Sequence, residues 1–120
     1  MIKLIREFVS AAKSGGHSGK GNKYYRKGNY EKALHHYELA AQYNEKSFAT
    51  HNPALLEYLA MTHAQLGNMN EALRVAEQSR NLYSELDSQK QIVADGIARI
   101  NYFIGLLQSE NKEAIRKYIK

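Results

Sequence analysis

The residues of this 120-residue chain with the clearest capacity for chemistry lie near its start. Gly19 and Lys20 form a Gly-Lys pair inside the glycine- and serine-rich stretch from Ser10 to Tyr30. Such a pair is the centre of a phosphate-binding loop, where backbone amides cradle the phosphates and the lysine reaches the terminal ones. That loop needs a glycine five residues before the pair and a hydroxyl after it for magnesium. Ser14 and Gly21 stand there instead. It also needs a preceding strand, whereas Ile2, Ile5, Phe8, Val9 and Ala12 fall at helical spacing with Lys3, Arg6 and Glu7 among them. The glycines therefore need a structural explanation.

Other chemistry finds little footing. His17, His35, His36, His51 and His63 include no i, i+4 pair of the kind that holds a metal on one helix face. His35 and His36 are adjacent, so on a helix they point about 100° apart and do not share a metal. No serine, histidine and aspartate order or carboxylate pair announces a catalytic site, and the absence of cysteine removes thiol catalysis and Cys-based zinc sites. The expectation is no enzyme, no cofactor and no metal. Nine tyrosines beside basic residues suggest base stacking. Tyr24, Tyr30, Tyr37, Tyr43 and Tyr83 sit where helices would pack, so a core role is expected and no specific nucleic acid.

The elements that must position these residues are helices. Ala, Leu, Glu, Lys and Gln dominate the middle of the chain, and there is one proline. The length suits a single domain. No apolar run approaches a membrane span, and the charged N-terminus does not resemble a secretory signal, so a cytoplasmic protein is expected. The net charge of +5 permits an acidic partner, a nucleic acid or an anionic surface without choosing among them. Its densest cluster is Lys20, Lys23, Arg26, Lys27 and Lys32.

The chain also repeats itself. "GNYEKALHHYELA" from Gly28 and "GNMNEALRVAEQS" from Gly67 align without a gap, and "SENKEAIRKYI" from Ser109 echoes them. Ala33, Ala72 and Ala114 are 39 and then 42 residues apart. Glycine takes the left-handed conformation just past a helix, the polar residue after it caps the next, and alanine lets two helices approach. Each unit is thus a helix, a tight turn and an antiparallel helix whose apolar face the next unit covers.

In this the chain resembles the tetratricopeptide repeat family, most closely in its first unit. Gly21 and Tyr24 match the small and aromatic residues of the first helix, and Ala33 and Tyr37 match those of the second. The second unit keeps Leu59, Ala60 and Ala72 but has His63 and Ala76 where aromatics are expected, and the third puts Tyr102 at the small position. The resemblance implies an all-α, right-handed solenoid of about three repeats in one domain. The expected layout is an N-terminal helix over 1–14, set off by Gly15 and Gly16 and capping the array. Repeats follow over 17–45, 53–86 and 89–120, with "NEKSFATHNP" as the loop between the first two. The second-helix cores would use Leu34, Tyr37, Leu73, Ala76 and Leu82, and the long helix of the third unit Ile97, Ile100, Ile104 and Leu107. The N-terminal helix has an apolar face, but Glu7 opposes anionic lipid, so membrane contact through it is not expected.

The resemblance further implies a non-enzymatic interaction module, an adaptor or scaffold whose first helices line a concave groove for a peptide or protein segment. By register the groove residues are Asn22, Tyr25 and Arg26 from the first unit, Glu57, Tyr58, Met61 and Gln65 from the second, and Arg99 and Phe103 from the third. Binding of the chaperone-tail type is not expected: Asn22 matches the first clamp residue, but Ser18, Tyr58, Gly96 and Ile100 occupy the other positions. Two alternatives remain. Ile115 and Ile119 on the short last helix have little to cover them, which would suit self-association or an assembly role; a basic module associated with RNA or a membrane is the weaker reading.

Overall fold

The computed structural model describes residues 2–45 and 52–119. Among those residues the regular structure is all helical: α1 (Ile2–Arg26), α2 (Tyr30–Glu45), α3 (Pro53–Gln65), α4 (Met69–Ser84), α5 (Gln91–Ser109) and α6 (Lys112–Ile119), joined by turns. Successive helices pack on one another from α1 to α5, while α6 packs on both α5 and α3. This is the all-α helical-repeat architecture expected. Most of the expected loop, residues 46–51, lies outside the described residues. Beyond it, Asn52 caps α3, its Oδ1 accepting from the amides of Ala54 and Leu55 at 3.1 and 3.3 Å, with Pro53 opening the helix.

The Gly-Asn turns form as the sequence requires. Gly28 and Gly67 have φ of 77° and 81°. The amides of Asn29 and Asn68 reach back to the carbonyls of Tyr24 and His63 at 2.9 and 2.8 Å, closing α1 and α3 in the same way. Ala33 and Ala72, just inside the helices that follow, are fully buried.

The 39-residue repeat extends to individual bonds. The Ser14 hydroxyl donates to the Ala40 carbonyl at 2.8 Å, tying α1 to α2. The equivalent positions are Pro53 and Ser79, and there the Ser79 hydroxyl donates to the Pro53 carbonyl at 2.7 Å. The same crossing point is bonded in both pairs with donor and acceptor exchanged. At Gly21 an added Cβ would lie 2.7 Å from the fully buried Tyr37 ring. The second pair puts Ala60 and Ala76 at those positions, both fully buried, so two small residues replace a glycine and a tyrosine.

Two expectations are corrected. Gly15 and Gly16 do not divide the N-terminal segment, because α1 runs unbroken for 25 residues. Each interior glycine costs a helix about 1 kcal/mol. Contacts with α2 offset that cost: the Ser14 bond to Ala40, and the His17 ring stacked on Tyr43 and His36 with centroids 5.7 and 5.3 Å away. Nor does a separate N-terminal helix close the array. Ile2, Ile5 and Val9 are 69, 60 and 42% exposed.

The second correction concerns the end of the array. Ile115 and Ile119 are not left uncovered; each is 2% exposed, within the same core as Ile100, Phe103 and Leu107. The chain covers them itself by turning at Glu110, the only non-glycine residue with positive φ (56°) among those described. In α4, Tyr83 takes the buried place expected of Leu82, its ring lying where a Cβ on Gly96 of α5 would be. Tyr37, Ala76, Ile100, Ile104 and Leu107 are buried as expected, and Leu34, Leu73 and Ile97 are partly so.

Candidate partner-binding groove

Residues three and four apart share a helix face, so Asn22, Tyr25 and Arg26 form one stripe on α1, and Tyr58, Met61 and Gln65 another on α3. Two clefts open along these stripes. The first, about 190 Å³, is lined by Asn22, Tyr25, Arg26, Tyr37 and Tyr58. The second, about 520 Å³, is lined by Ala54, Glu57, Tyr58, Met61, Arg99 and Tyr118. Tyr58 belongs to both. It is 45% exposed, its ring stacked on Tyr37 with centroids 6.0 Å apart.

The polar residues of the first cleft differ in what they have free. Asn22 is engaged within the fold, its Oδ1 accepting from the Tyr37 hydroxyl. Burial raises the Tyr37 hydroxyl above the ordinary tyrosine value. Tyr25 is engaged too: its hydroxyl donates to the Ile119 carbonyl at 3.0 Å and accepts from Gln65 Nε2 at 3.0 Å. Burial raises its pKa, and the Gln65 bond partly opposes that. Arg26 is exposed and makes no ion pair among the described residues.

The second cleft has an ionic floor. Glu57 is 6% exposed, and its carboxylate accepts from Arg99 Nε at 2.5 Å, from Arg99 Nη2 at 3.0 Å and from the Tyr83 hydroxyl at 3.0 Å. This fork joins α3, α4 and α5. Its hydrogen bonds hold Arg99 more firmly protonated than an ordinary arginine. Burial, with the carboxylate beside it, pushes the Tyr83 hydroxyl up to about 12.

Of the nine residues expected in the groove, Tyr58, Met61, Arg26 and Arg99 line a cleft with exposed or partly exposed surface. Asn22, Tyr25, Glu57 and Gln65 face the same region but are tied to other groups of the chain. Phe103 is different: it is fully buried, its ring stacked on Tyr118 at 5.2 Å. The residue at that place on the cleft wall is Tyr118 of α6, which sequence reasoning missed. Periodicity shows which face of α6 is apolar and says nothing of the helix that receives it.

Among the described residues, no three histidine, aspartate or glutamate side chains gather closely enough to hold a metal, and no helix is long and apolar enough to cross a membrane. The family model for the tetratricopeptide repeat matches residues 14–47, the last part of α1 and the whole of α2. No curated protein and no solved structure matches the chain. The matched repeat belongs to a family of protein–protein interaction modules, typically without catalytic activity. Matched over its first unit and all-helical in the units that follow, the chain carries a tetratricopeptide repeat within an all-helical array.

Proposed function

We propose that this chain is a non-enzymatic adaptor that binds a peptide segment of a partner protein along the α1, α3 and α5 face. One observation carries the reading: two clefts on that face meet at a single half-exposed tyrosine, Tyr58, so a chain lying in one continues into the other. Tyrosine is a favoured anchor because it offers a rigid apolar ring and a hydroxyl at little entropic cost. Arg26 at the end of the first cleft adds an exposed charge, and Lys23 and Lys27 beside it are also exposed. A segment carrying acidic side chains fits that end best. The clefts are formed before binding, so little of the affinity is spent on ordering them.

The test changes two residues whose side chains make no hydrogen bond or ion pair among the described residues. Arg26→Ala and Tyr58→Ala, singly and together, are compared with wild type in affinity capture from lysate with nuclease present, after helicity is checked. A partner held by wild type and lost by the folded double variant supports the groove. A partner that both retain equally places the contact elsewhere and sinks the proposal. Changing Asn22 or Tyr25 is a poorer test, because each holds part of the fold together.

A further inference from the structure

α6 occupies the groove end that the rest of the chain leaves open. Its Ile119 carbonyl accepts from Gln65 Nε2 at 2.6 Å and from the Tyr25 hydroxyl at 3.0 Å, two residues on the groove stripes of α3 and α1. Ile115 and Ile119 are 2% exposed, and Tyr118 stacks on Phe103 while its hydroxyl donates to the Arg99 carbonyl at 3.3 Å. Lys112, Arg116 and Lys117 remain exposed. In chemical terms a short amphipathic helix is seated in the groove, apolar residues inward and its last described carbonyl held by two donors. That is helix-in-groove recognition, performed here within one chain.

The hold is light. α6 has eight residues, too few to be stable as an isolated helix. It is joined to α5 through Glu110, whose left-handed backbone is unfavourable for a side-chain-bearing residue. If it left, the groove would lose Tyr118 from its wall but keep the walls that α3 and α5 supply, which the Glu57–Arg99 fork ties together.

We infer that α6 is a displaceable internal ligand. The segment that binds this groove in a partner protein is an amphipathic helix repeating the α6 spacing of two isoleucine-like residues four apart with an aromatic beside the second, and it binds by taking the place of α6. This rests on the groove reading above and adds its ligand class and its regulation: the closed chain holds its own site until a competitor or a weakened α6 opens it.

The probe is a fluorescein-labelled peptide of the α6 sequence, ENKEAIRKYI (residues 110–119), titrated by anisotropy against the full-length chain. Three proteins are compared: wild type, Ile119→Ala and Ile115→Asn/Ile119→Asn, each checked for helicity by circular dichroism. Affinity is expected to rise in that order, with the double variant binding at least about tenfold tighter than wild type. Adding Gln65→Ala to the double variant is expected to weaken the peptide again. Equal affinity for wild type and the folded double variant overturns the inference. If the double variant does not fold, Ile119→Ala decides, and no gain over wild type overturns it. A wild-type chain that dimerises with concentration and is dissociated by the peptide would make a second copy the occupant, also against the inference. Should the peptide fail while Tyr58→Ala still abolishes partner capture, the internal-ligand idea falls and the groove reading stands.

Discussion

Glu57 and Arg99 form a two-bonded ion pair across α3 and α5, with the glutamate side chain 8% exposed and the arginine side chain 46% exposed. The asymmetry decides what each residue contributes. Arg99 regains water if its partner is removed; Glu57 does not. Arg99→Ala therefore leaves a buried carboxylate with only the Tyr83 hydroxyl. The expected cost is about 3 kcal/mol, against about 2 kcal/mol for Glu57→Ala, read from urea unfolding. A larger loss for Glu57→Ala would show that the guanidinium, not the carboxylate, is the constrained partner, and equal losses would remove the asymmetry.

Two glycine-to-alanine changes in one helix are expected to act with opposite sign. Gly16 has nothing within 4 Å of an added Cβ, so Gly16→Ala should stabilise by about 0.5–1 kcal/mol through helix propensity alone. At Gly21 the same Cβ would meet the Tyr37 ring at 2.7 Å. Overpacking there outweighs the propensity gain, and a net loss of about 1–2 kcal/mol is expected. Thermal melts of the two variants against wild type check both signs.

Acid should weaken the fold through His63. It is 8% exposed, and its Nδ1 has no hydrogen-bond partner among the described residues. Burial lowers its pKa first; Glu71 and Glu38 raise it and Arg74 lowers it further, each by less. The unfolded chain therefore binds the proton more readily. Stability is intact above the unfolded value of about 6.5 and falls as the pH drops below it toward the folded value. His36 is lowered too, by burial and then by His17 and His35, and adds to the same slope. His63→Leu should flatten the fall in melting temperature between pH 7.5 and 5.5; an unchanged slope would assign the effect to other groups.

Glu110→Gly is expected to stabilise the chain by about 0.5–1 kcal/mol, because glycine adopts the left-handed conformation without a Cβ penalty. The gain should appear as slower hydrogen exchange in α6, with α1 to α4 unchanged. A loss of stability would show that the Glu110 side chain does something for the folded state that its backbone conceals.

Much of the fold was legible because its determinants are local. The Gly-Asn pairs specify φ at Gly28 and Gly67 whatever surrounds them, and the alanines at 33 and 72 mark close approach by size alone. Helix α1 was misread for the converse reason. Gly15 and Gly16 break helices by intrinsic preference, and what overrides that preference is the packing of Ser14 and His17 on α2. Gly96 and Tyr83 are a close contact between neighbouring repeat units, which no spacing within one unit announces. In the groove the stripes on α1 and α3 were visible from i, i+3 and i+4 spacing. That Gln65 and Tyr25 would be occupied by a carbonyl more than 50 residues away was not.

The two tyrosines laid against glycine backbone, Tyr37 over Gly21 and Tyr83 over Gly96, have an optical consequence. The chain has no tryptophan, so its near-ultraviolet signal comes mainly from tyrosine. Burial keeps both hydroxyls protonated beyond the ordinary value, Tyr83 up to about 12, while in an unfolded chain they ionise near 10. Above pH 10 the open forms are favoured, and the tyrosinate absorbance of each ring becomes a gauge of its own helix junction. Replacing one or the other by phenylalanine would let the α1–α2 and α4–α5 junctions be followed separately, without an added label.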